Sequence, residues 1–571
     1  MQPVTFDNCF GLYSPGRSHK GVVICNSFGL EEVRYRGALA ELSTALSERG
    51  LHVLRFDYSG AGYPAGTSLD PGILRRWSDN ATSACEWLIK HAGVEQISYI
   101  GLRLGAIVAV QACNAGSVPE ELVLMAPPAS GRSLVAEMTR SAGAGIEEDL
   151  PAGFAQLPFE GVDMAGFRLG RQTLDELEQF EWGKLTSCPA RKIIVLAENR
   201  GEDRQLIADA FVALNRPVET NDTLEGFGRA LSDMRAASRA TPHWSAIAHL
   251  LSIPGGAPGV HPVAPPIKPM AGPGYLETPV YLTSNEQFAG IFSRASSGKE
   301  QGAAVLMLPS AEGQALHWPR LRVDLARRLA RSGIACLRLQ DPASSDLRIF
   351  ETPARQLQAA VSWLKGHRYG DIAVLGGSDA ELEELTLVAG EHRVARLLLL
   401  DKPPMRTGTG LAQPDVRKGD AAAAAQNPGS IEARIPETMR AISHSVESLQ
   451  QIRDLAGDRD TSTERFERQM EAFANTGRPL AVMGCRRSLE DLVPSGLTAW
   501  VHKFTAAESG PRTLKPDVTG CDGPTILSVD SQDGMLATDA ARAKFGALLI
   551  EYVQRDTART TPGVRLALQA I

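Results

Sequence analysis

The sequence repeats itself across a long interval, and this constrains the fold more than any other feature. Gly50-Leu-His-Val-Leu-Arg55 returns as Gly333-Ile-Ala-Cys-Leu-Arg338, an offset of 283. Trp87-Leu88 matches Trp363-Leu364, and Pro127-Pro128 matches Pro403-Pro404, both at an offset of 276. An offset held nearly constant through four elements marks a duplicated unit. Between the copies lies the stretch 253–279, in which thirteen of 27 residues are proline or glycine and no apolar periodicity runs. Proline removes a backbone donor and glycine raises chain entropy, so this stretch reads as a semi-rigid linker. The expected organisation is two tandem domains, 1–252 and 280–571, joined by 253–279.

Each half alternates apolar runs with amphipathic segments. Gly21–Cys25 reads as a strand, 38–49 as a helix with Leu39, Leu42 and Leu46 on one face, Gly50 as its cap and Leu51–Phe56 as the next strand. The second half offers Ala303–Leu308, a helix at Arg322–Arg331, Gly333 and Ile334–Leu339 in the same order. Strands alternating with helices of this length predict an α/β fold, a mostly parallel sheet flanked by helices in each half. Ligands then sit at the carboxyl ends of the strands.

Composition narrows the function classes. The chain is 43% hydrophobic and 22% charged, as a globular protein is. No apolar run is long enough for a membrane span, and Met1-Gln-Pro-Val-Thr-Phe-Asp7 has neither the basic nor the apolar part of a secretory signal. A net charge of −7 supplies no electrostatic footprint for nucleic acid. The eight cysteines are scattered singly with no Cys-x-x-Cys pair, which predicts buried thiols in a reducing cytoplasm and neither disulfides nor zinc. No metal and no cofactor are expected.

The chemistry-bearing feature of the first half is Gly101-Leu-Arg-Leu-Gly105, set between the strand Gln96–Ile100 and the small-residue helix Ala106–Ala112. Glycines at this spacing permit the tight strand-to-helix turn of a nucleophile elbow, Gly-x-Ser-x-Gly. The matching point of the second half is Gly376-Gly-Ser-Asp-Ala380 after the strand Asp371–Leu375, which puts Ser378 at the apex.

Phe56-Asp-Tyr-Ser-Gly-Ala-Gly62 with Gly66 resembles the Phe-Asp-x-x-Gly-x-Gly loop of α/β-hydrolases of the serine-aminopeptidase-like group. Gly131-Arg-Ser, Val162–Phe167 and Trp182 resemble the cap of a bacterial subgroup that includes exosortase-associated hydrolases, as does Asp379 directly after the second elbow. The resemblance covers 20–252 well and 280–556 more weakly. It implies two tandem α/β-hydrolase-like domains, each with a helical cap, the second cap inserted at about 404–478. It also implies an oxyanion-hole loop at Cys25-Asn-Ser-Phe-Gly29, with backbone donors at Phe28 and Leu104.

The departure from that pattern lies at the catalytic positions. Arg103 stands where the nucleophile should be, and a guanidinium stays protonated and cannot attack a carbonyl; some members of the resembled subgroup also carry arginine here. The acid position falls to Glu202 or Asp203. Where relatives show a histidine before a proline, this chain has Asp233–Pro242 with none, and His243 follows the proline. In the second half Glu490 and Asp491 are acid candidates, and Asp530 and Asp533 stand where a histidine would be expected. His367, His392, His444 and His502 have other expected places.

Two readings of Arg103 stay open: an anion site for a carboxylate or phosphate at a helix N-terminus, or an internal salt bridge to Asp57, Glu31 or Glu202. Two readings of the protein follow. In one it hydrolyses or transfers acyl groups of a small acylated or carboxylate-bearing metabolite, with Ser378 as nucleophile or Arg103 as anion binder. In the other it is a pseudohydrolase that binds a ligand or scaffolds a protein partner in a biosynthetic pathway.

Overall fold

The computed structural model describes residues 1–143 apart from 63, 65 and 117, then 160–196 apart from 165 and 166, 202–221, 241–251, 267–282, 288–308 apart from 299–301, 318–340, 353–377, 396–400, 480–483, 500–504, 525–529 and 550. They fall into two compact units. The first gathers described residues of Met1–Gly302, Leu316–Ile349 and Leu536–Arg555, the second those of Ala303–Ala315 and Phe350–Met535.

The first unit opens with β1 (Gln2–Phe6), β2 (Cys9–Ser14), β3 (Lys20–Cys25), α1 (Leu30–Glu48), β4 (His52–Phe56), α2 (Ile73–Trp87), β5 (Gln96–Leu102), α3 (Leu104–Ala115) and β6 (Glu121–Met125). It continues with α4 (Gly131–Gly143), β7 (Gly161–Met164), β8 (Phe167–Gly170), α5 (Arg171–Glu178), β9 (Lys192–Leu196), α6 (Glu202–Ala213), β10 (Val218–Asn221) and α7 (Thr241–Leu250). Eight strands form one sheet in the order β1-β2-β4-β3-β5-β6-β9-β10. The β1-β2-β4 end is antiparallel, and every pairing from β4 to β10 is parallel.

A parallel strand is covered on both faces and so reads as a continuous apolar run. β3 obeys this, and its alternate side chains go to opposite layers. Val22 and Ile24 pack with Leu39, Leu42 and Leu46 of α1 and Trp244 of α7, whereas Val23 and Cys25 pack with Trp77 of α2 and Ile107 of α3. α1 starts eight residues before the helix expected from leucine spacing, because Glu31 and Glu32 occupy its first turn and complement the helix dipole. It ends in a Schellman turn: Gly50 has φ 93°, and the Leu51 N–H donates to Leu46 O at 3.1 Å.

The second half of the chain supplies β11 (Met270–Gly272), β12 (Tyr275–Tyr281), β13 (Phe288–Ala295), β14 (Ala303–Met307), α8 (Trp318–Arg331), β15 (Ala335–Leu339), α9 (Pro353–Gly366), β16 (Asp371–Gly377), β17 (Arg396–Leu400), β18 (Leu480–Met483), β19 (Trp500–Phe504) and β20 (Thr525–Val529). In the first unit β11-β12-β13-β15 is an antiparallel run. In the second unit β14-β16-β17-β18 is a parallel one. The β12-β13-β15 run matches β1-β2-β4 in direction and order, and β14-β16-β17-β18 matches β3-β5-β6-β9. The Schellman turn recurs as well, with Gly333 at φ 83° and Ile334 N–H on Leu329 O at 3.0 Å.

Two expectations need correction. The stretch 253–279 is not linker throughout, since residues 270–279 stand in β11 and β12. Pro279 stands opposite Ile291 of β13, beyond the three residues of β12 that pair with β11, Tyr275, Leu276 and Glu277. The cap of the first half is not wholly helical: between β6 and β9 it combines α4, the antiparallel β7–β8 hairpin and α5. The second cap, at about 404–478, lies outside the described residues. Among the described residues no helix is long and apolar enough to cross a membrane, and no group of acidic, His or Cys side chains is arranged to hold a metal ion.

Candidate functional site

β5 delivers the chain to the carboxyl edge of the sheet, and α3 carries it back, with Arg103 alone at the turn. A Cβ on Gly101 would lie 2.4 Å from Gly105 O and 2.6 Å from Ala106 Cα; one on Gly105 would lie 2.0 Å from Cys25 O. No side chain fits at either place. Arg103 itself is held at φ 53° and ψ −116°, a region that costs a non-glycine residue about 1–3 kcal/mol. Its N–H donates to Met125 O and its carbonyl accepts from Ala106 N–H, both at 3.0 Å, which fixes the apex between β6 and α3. The backbone is thus a nucleophile elbow that presents a guanidinium.

That guanidinium is only 12% exposed and is taken up by two carboxylates. Nε donates to Glu31 Oε1 at 3.3 Å, and Nη2 donates to Glu137 Oε2. Glu31 stands in the first turn of α1 and also accepts from Ser27 Oγ at 2.5 Å. Glu137 comes from α4, a cap helix. Burial alone would lower the pKa of Arg103, but Glu31 and Glu137 outweigh it, so the guanidinium is held charged even more firmly than usual. Among the described residues the ion triad sets one guanidinium against two carboxylates. Of the carboxylates weighed from sequence, Glu31 is a partner. Asp57 instead lines a cleft with Glu32, Arg36, Arg55 and Gln340, and the side chain of Glu202 lies outside the described residues.

Of the oxyanion-hole candidates, Phe28 lies in the β3–α1 loop and Leu104 begins α3, and a Cβ on Gly105 of α3 would meet Cys25 O and Asn26 O at the start of that loop. The Phe28 ring is 2% exposed, stacked on Trp77 at 5.2 Å and edge-on to Phe167 at 6.1 Å. The cap hairpin rests on this loop: a Cβ on Gly29 would lie 3.2 Å from Met164 Cε and 3.4 Å from Phe167 Cβ. Ser68 Oγ, after the Gly-rich loop, donates to Arg168 O of β8 at 2.5 Å, and Arg168 Nε pairs with Asp163 at 2.9 Å. The cap hairpin thus packs on both the Gly-rich loop and the β3–α1 loop. Cys25, whose carbonyl crowds Gly105, offers no thiolate, because burial pushes its thiol up to about 12.

Three described histidines have their partners away from the apex. Tyr13 OH and Gly16 N–H both meet Nδ1 of buried His52, at 2.6 and 3.1 Å. The Nδ1 atoms of His249 and His367 lie against the carbonyls of Ser245 and Trp363, one helical turn back. His243 belongs to the first turn of α7. Asp203, in the first turn of α6, is exposed. Ser378 and Asp379 lie outside the described residues, directly after the end of β16 at Gly377; Glu490, Asp491, Asp530 and Asp533 do too. His502 falls on β19.

Sequence reasoning missed Glu137. Buried Leu134, Val135 and Met138 mark the inner face of α4, which shows that the helix packs but not which residue its carboxylate reaches.

A sheet of this order, with a Gly-x-x-x-Gly elbow leaving the fifth strand and a cap inserted after the sixth, has the α/β-hydrolase fold. No family model matches the chain. An uncharacterised protein recorded from two strains of Mycobacterium tuberculosis is 37% identical over 122 residues, which is 20% of this chain and 40% of that protein. The match therefore spans well under half the length of these curated relatives. Solved structures similar to the chain include an α/β serine hydrolase without a lid from Xanthomonas campestris, at 17% identity over 42% of this chain and 94% of that one, TM-score 0.24. An esterase of Pyrococcus furiosus is 17% identical over 42% of this chain and 89% of its own, TM-score 0.27. A proline iminopeptidase of Mycobacterium smegmatis is 15% identical over 43% of this chain and 99% of its own, TM-score 0.28. Likeness at this level says nothing of activity.

Proposed function

We propose that the chain is a tandem pseudohydrolase: a duplicated α/β-hydrolase-fold protein in which the first elbow has become a structural tie, and which acts by binding or scaffolding a protein partner of a biosynthetic pathway. The observation that carries this reading is the ion triad Glu31–Arg103–Glu137 at the apex of the elbow. A hydrolase needs a neutral nucleophile with a base beside it. Here the apex is a permanent cation, its partners are carboxylates, and the described histidines with defined contacts bond elsewhere. The excess negative charge also disfavours a carboxylate or phosphate ligand at this point, because an incoming anion has to displace Glu31 or Glu137. Six free, buried cysteines among the described residues support work in a reducing compartment, the cytoplasm.

The test is an activity-independent label. A fluorophosphonate probe applied to the full chain should leave no covalent adduct on Ser378 or any other serine. Labelling that disappears in Ser378→Ala would overturn the reading and return the second half to acyl-enzyme chemistry. In parallel, short carboxylates and CoA thioesters titrated calorimetrically should give no heat that depends on Arg103; binding lost in Arg103→Ala would restore the anion site.

A further inference from the structure

The ladder registers equate residues of the two hairpins one by one. Pro3 stands opposite Leu12, Val4 opposite Gly11 and Leu12 opposite Arg55. In the same positions Pro279 stands opposite Ile291, Val280 opposite Gly290 and Ile291 opposite Arg338. Gly11-Leu-Tyr-Ser14 is thereby the counterpart of Gly290-Ile-Phe-Ser293. Both glycines are pressed on the partner strand, with a Cβ meeting Arg55 O at 3.0 Å in one and Arg338 O at 2.2 Å in the other. The residue two after each arginine is Asp57 in the first copy and Gln340 in the second.

These equivalent positions meet each other within the first unit. Leu12 packs against the small buried cluster that contains its counterpart Ile291, together with Phe10 and Met270. Asp57 and its counterpart Gln340 line one cleft. Around them, Asn8 and Ala271 exchange two hydrogen bonds, at 2.8 and 2.6 Å, and Lys268 N–H donates to Thr5 Oγ1 at 2.9 Å. Contact between a position and its own counterpart occurs at the two-fold axis of an isologous interface, where one surface patch serves both partners.

We infer that within the first unit the two hairpins are bound to each other as the matching surfaces of an isologous dimer are, through the same face, so that the second copy's hairpin and α8 are a built-in partner subunit for the first copy's sheet. The interface uses up a patch that a single copy leaves open, and it reaches the functional edge of the first sheet. Arg327 of α8 donates to Pro64 O in the Gly-rich loop at 2.8 Å while Glu277 holds the same guanidinium at 2.9 Å. Arg327 thereby braces the Gly-rich loop of the first copy. This inference stands whether or not either elbow is active.

The test exchanges residues across the axis in the full chain. Gln340→Asp puts two carboxylates into the shared cleft and should lower the folded-to-unfolded ratio about tenfold at pH 7, and Asp57→Gln on that background should restore most of it. Effects that simply add, within about twofold, overturn the inference. Hydrogen exchange supplies a second measurement that does not depend on the folding of the Asp variant. Arg327→Ala should speed exchange of the amides of 58–70 about tenfold, the loss expected for one charge-assisted hydrogen bond. Unchanged protection in that loop would remove the bracing and, with additive exchange variants, the built-in subunit as well.

Discussion

Replacing Arg103 separates the two things this residue does. Arg103→Ala removes a cation 12% exposed from between Glu31, 28% exposed, and Glu137, 40% exposed. The Glu137 pair is solvated and contributes under about 1 kcal/mol. The better-shielded Glu31 bond contributes about 1–2 kcal/mol as a hydrogen bond between charged groups. The sum, about 2 kcal/mol, should move the urea midpoint of the transition that melts the first sheet down by about 0.7 M, for a slope near 3 kcal/mol/M. Arg103→Gly loses the same ion pairs but relieves a backbone held at φ 53°. Relief of about 1–3 kcal/mol exceeds the roughly 0.5–1 kcal/mol of entropy that glycine adds to the unfolded chain. The order of stability should be wild type, then Gly, then Ala. High salt should narrow the gap between wild type and Gly, because Glu137 is open to screening. An Ala variant as stable as wild type would refute the tie; an Ala variant equal to Gly would refute the strain.

Gly105→Ala should yield no folded protein by circular dichroism, because its Cβ would lie 2.0 Å from Cys25 O and both backbones are fixed. Glu277→Gln should cost about 3–5 kcal/mol in denaturant unfolding, since it takes from Arg327 and Arg338 the buried carboxylate that they share. Burial opposes ionisation of Glu277, yet the two arginines win and hold it below its ordinary 4.5, so its contribution is full above pH 4.5 and lost as pH falls through the lowered value. Glu32 has the opposite sign: burial, helped by Asp57 and opposed by Arg36 and Arg55, holds it above 4.5. The stability difference between wild type and Glu32→Gln should shift in favour of wild type as pH drops from neutral toward 4.5, and a flat difference across that window would refute the assignment.

The parallel strands were legible because burial on both faces leaves an unbroken apolar run, as in Gly21-Val-Val-Ile-Cys25. The elbow was legible because its two glycines answer a backbone contact that admits no other residue. The start of α1 was not, since Glu31 and Glu32 fill its first turn and Leu30, nine positions before Leu39, is off the spacing of Leu39, Leu42 and Leu46. The hairpin repeat also escaped, though Pro3-Val4 against Pro279-Val280 and Gly11–Ser14 against Gly290–Ser293 were there to be read. Its offsets, 276 and 279, differ from the 283 of the helix cap, and the two strands share few side chains outside the turn and ladder positions. A carboxylate such as Glu137 could not be matched to Arg103 from 34 positions away. Solvated and buried glutamates look alike in a sequence, and only the tertiary placement of α4 tells them apart.

Fold and chemistry are written in different residues of the same five-residue motif. Gly101 and Gly105 answer to the packing of β5, α3 and the β3 carbonyl, so they are required whatever stands between them. The apex answers to nothing but what it faces, because its side chain leaves the sheet at the carboxyl edge. With serine there, the positive φ aims a hydroxyl at an oxyanion hole; with arginine, the same φ aims a guanidinium between α1 and the cap helix α4. On the proposed reading a single reversal does not recover a hydrolase. Arg103→Ser would expose Glu31 and Glu137 to each other without supplying a histidine, and a triad short of its base loses nearly all its rate. Fluorophosphonate should leave Arg103→Ser as unlabelled at residue 103 as the wild type. A covalent adduct at that position would mean that a base stands within reach of the apex, and the structural reading of the elbow would fail.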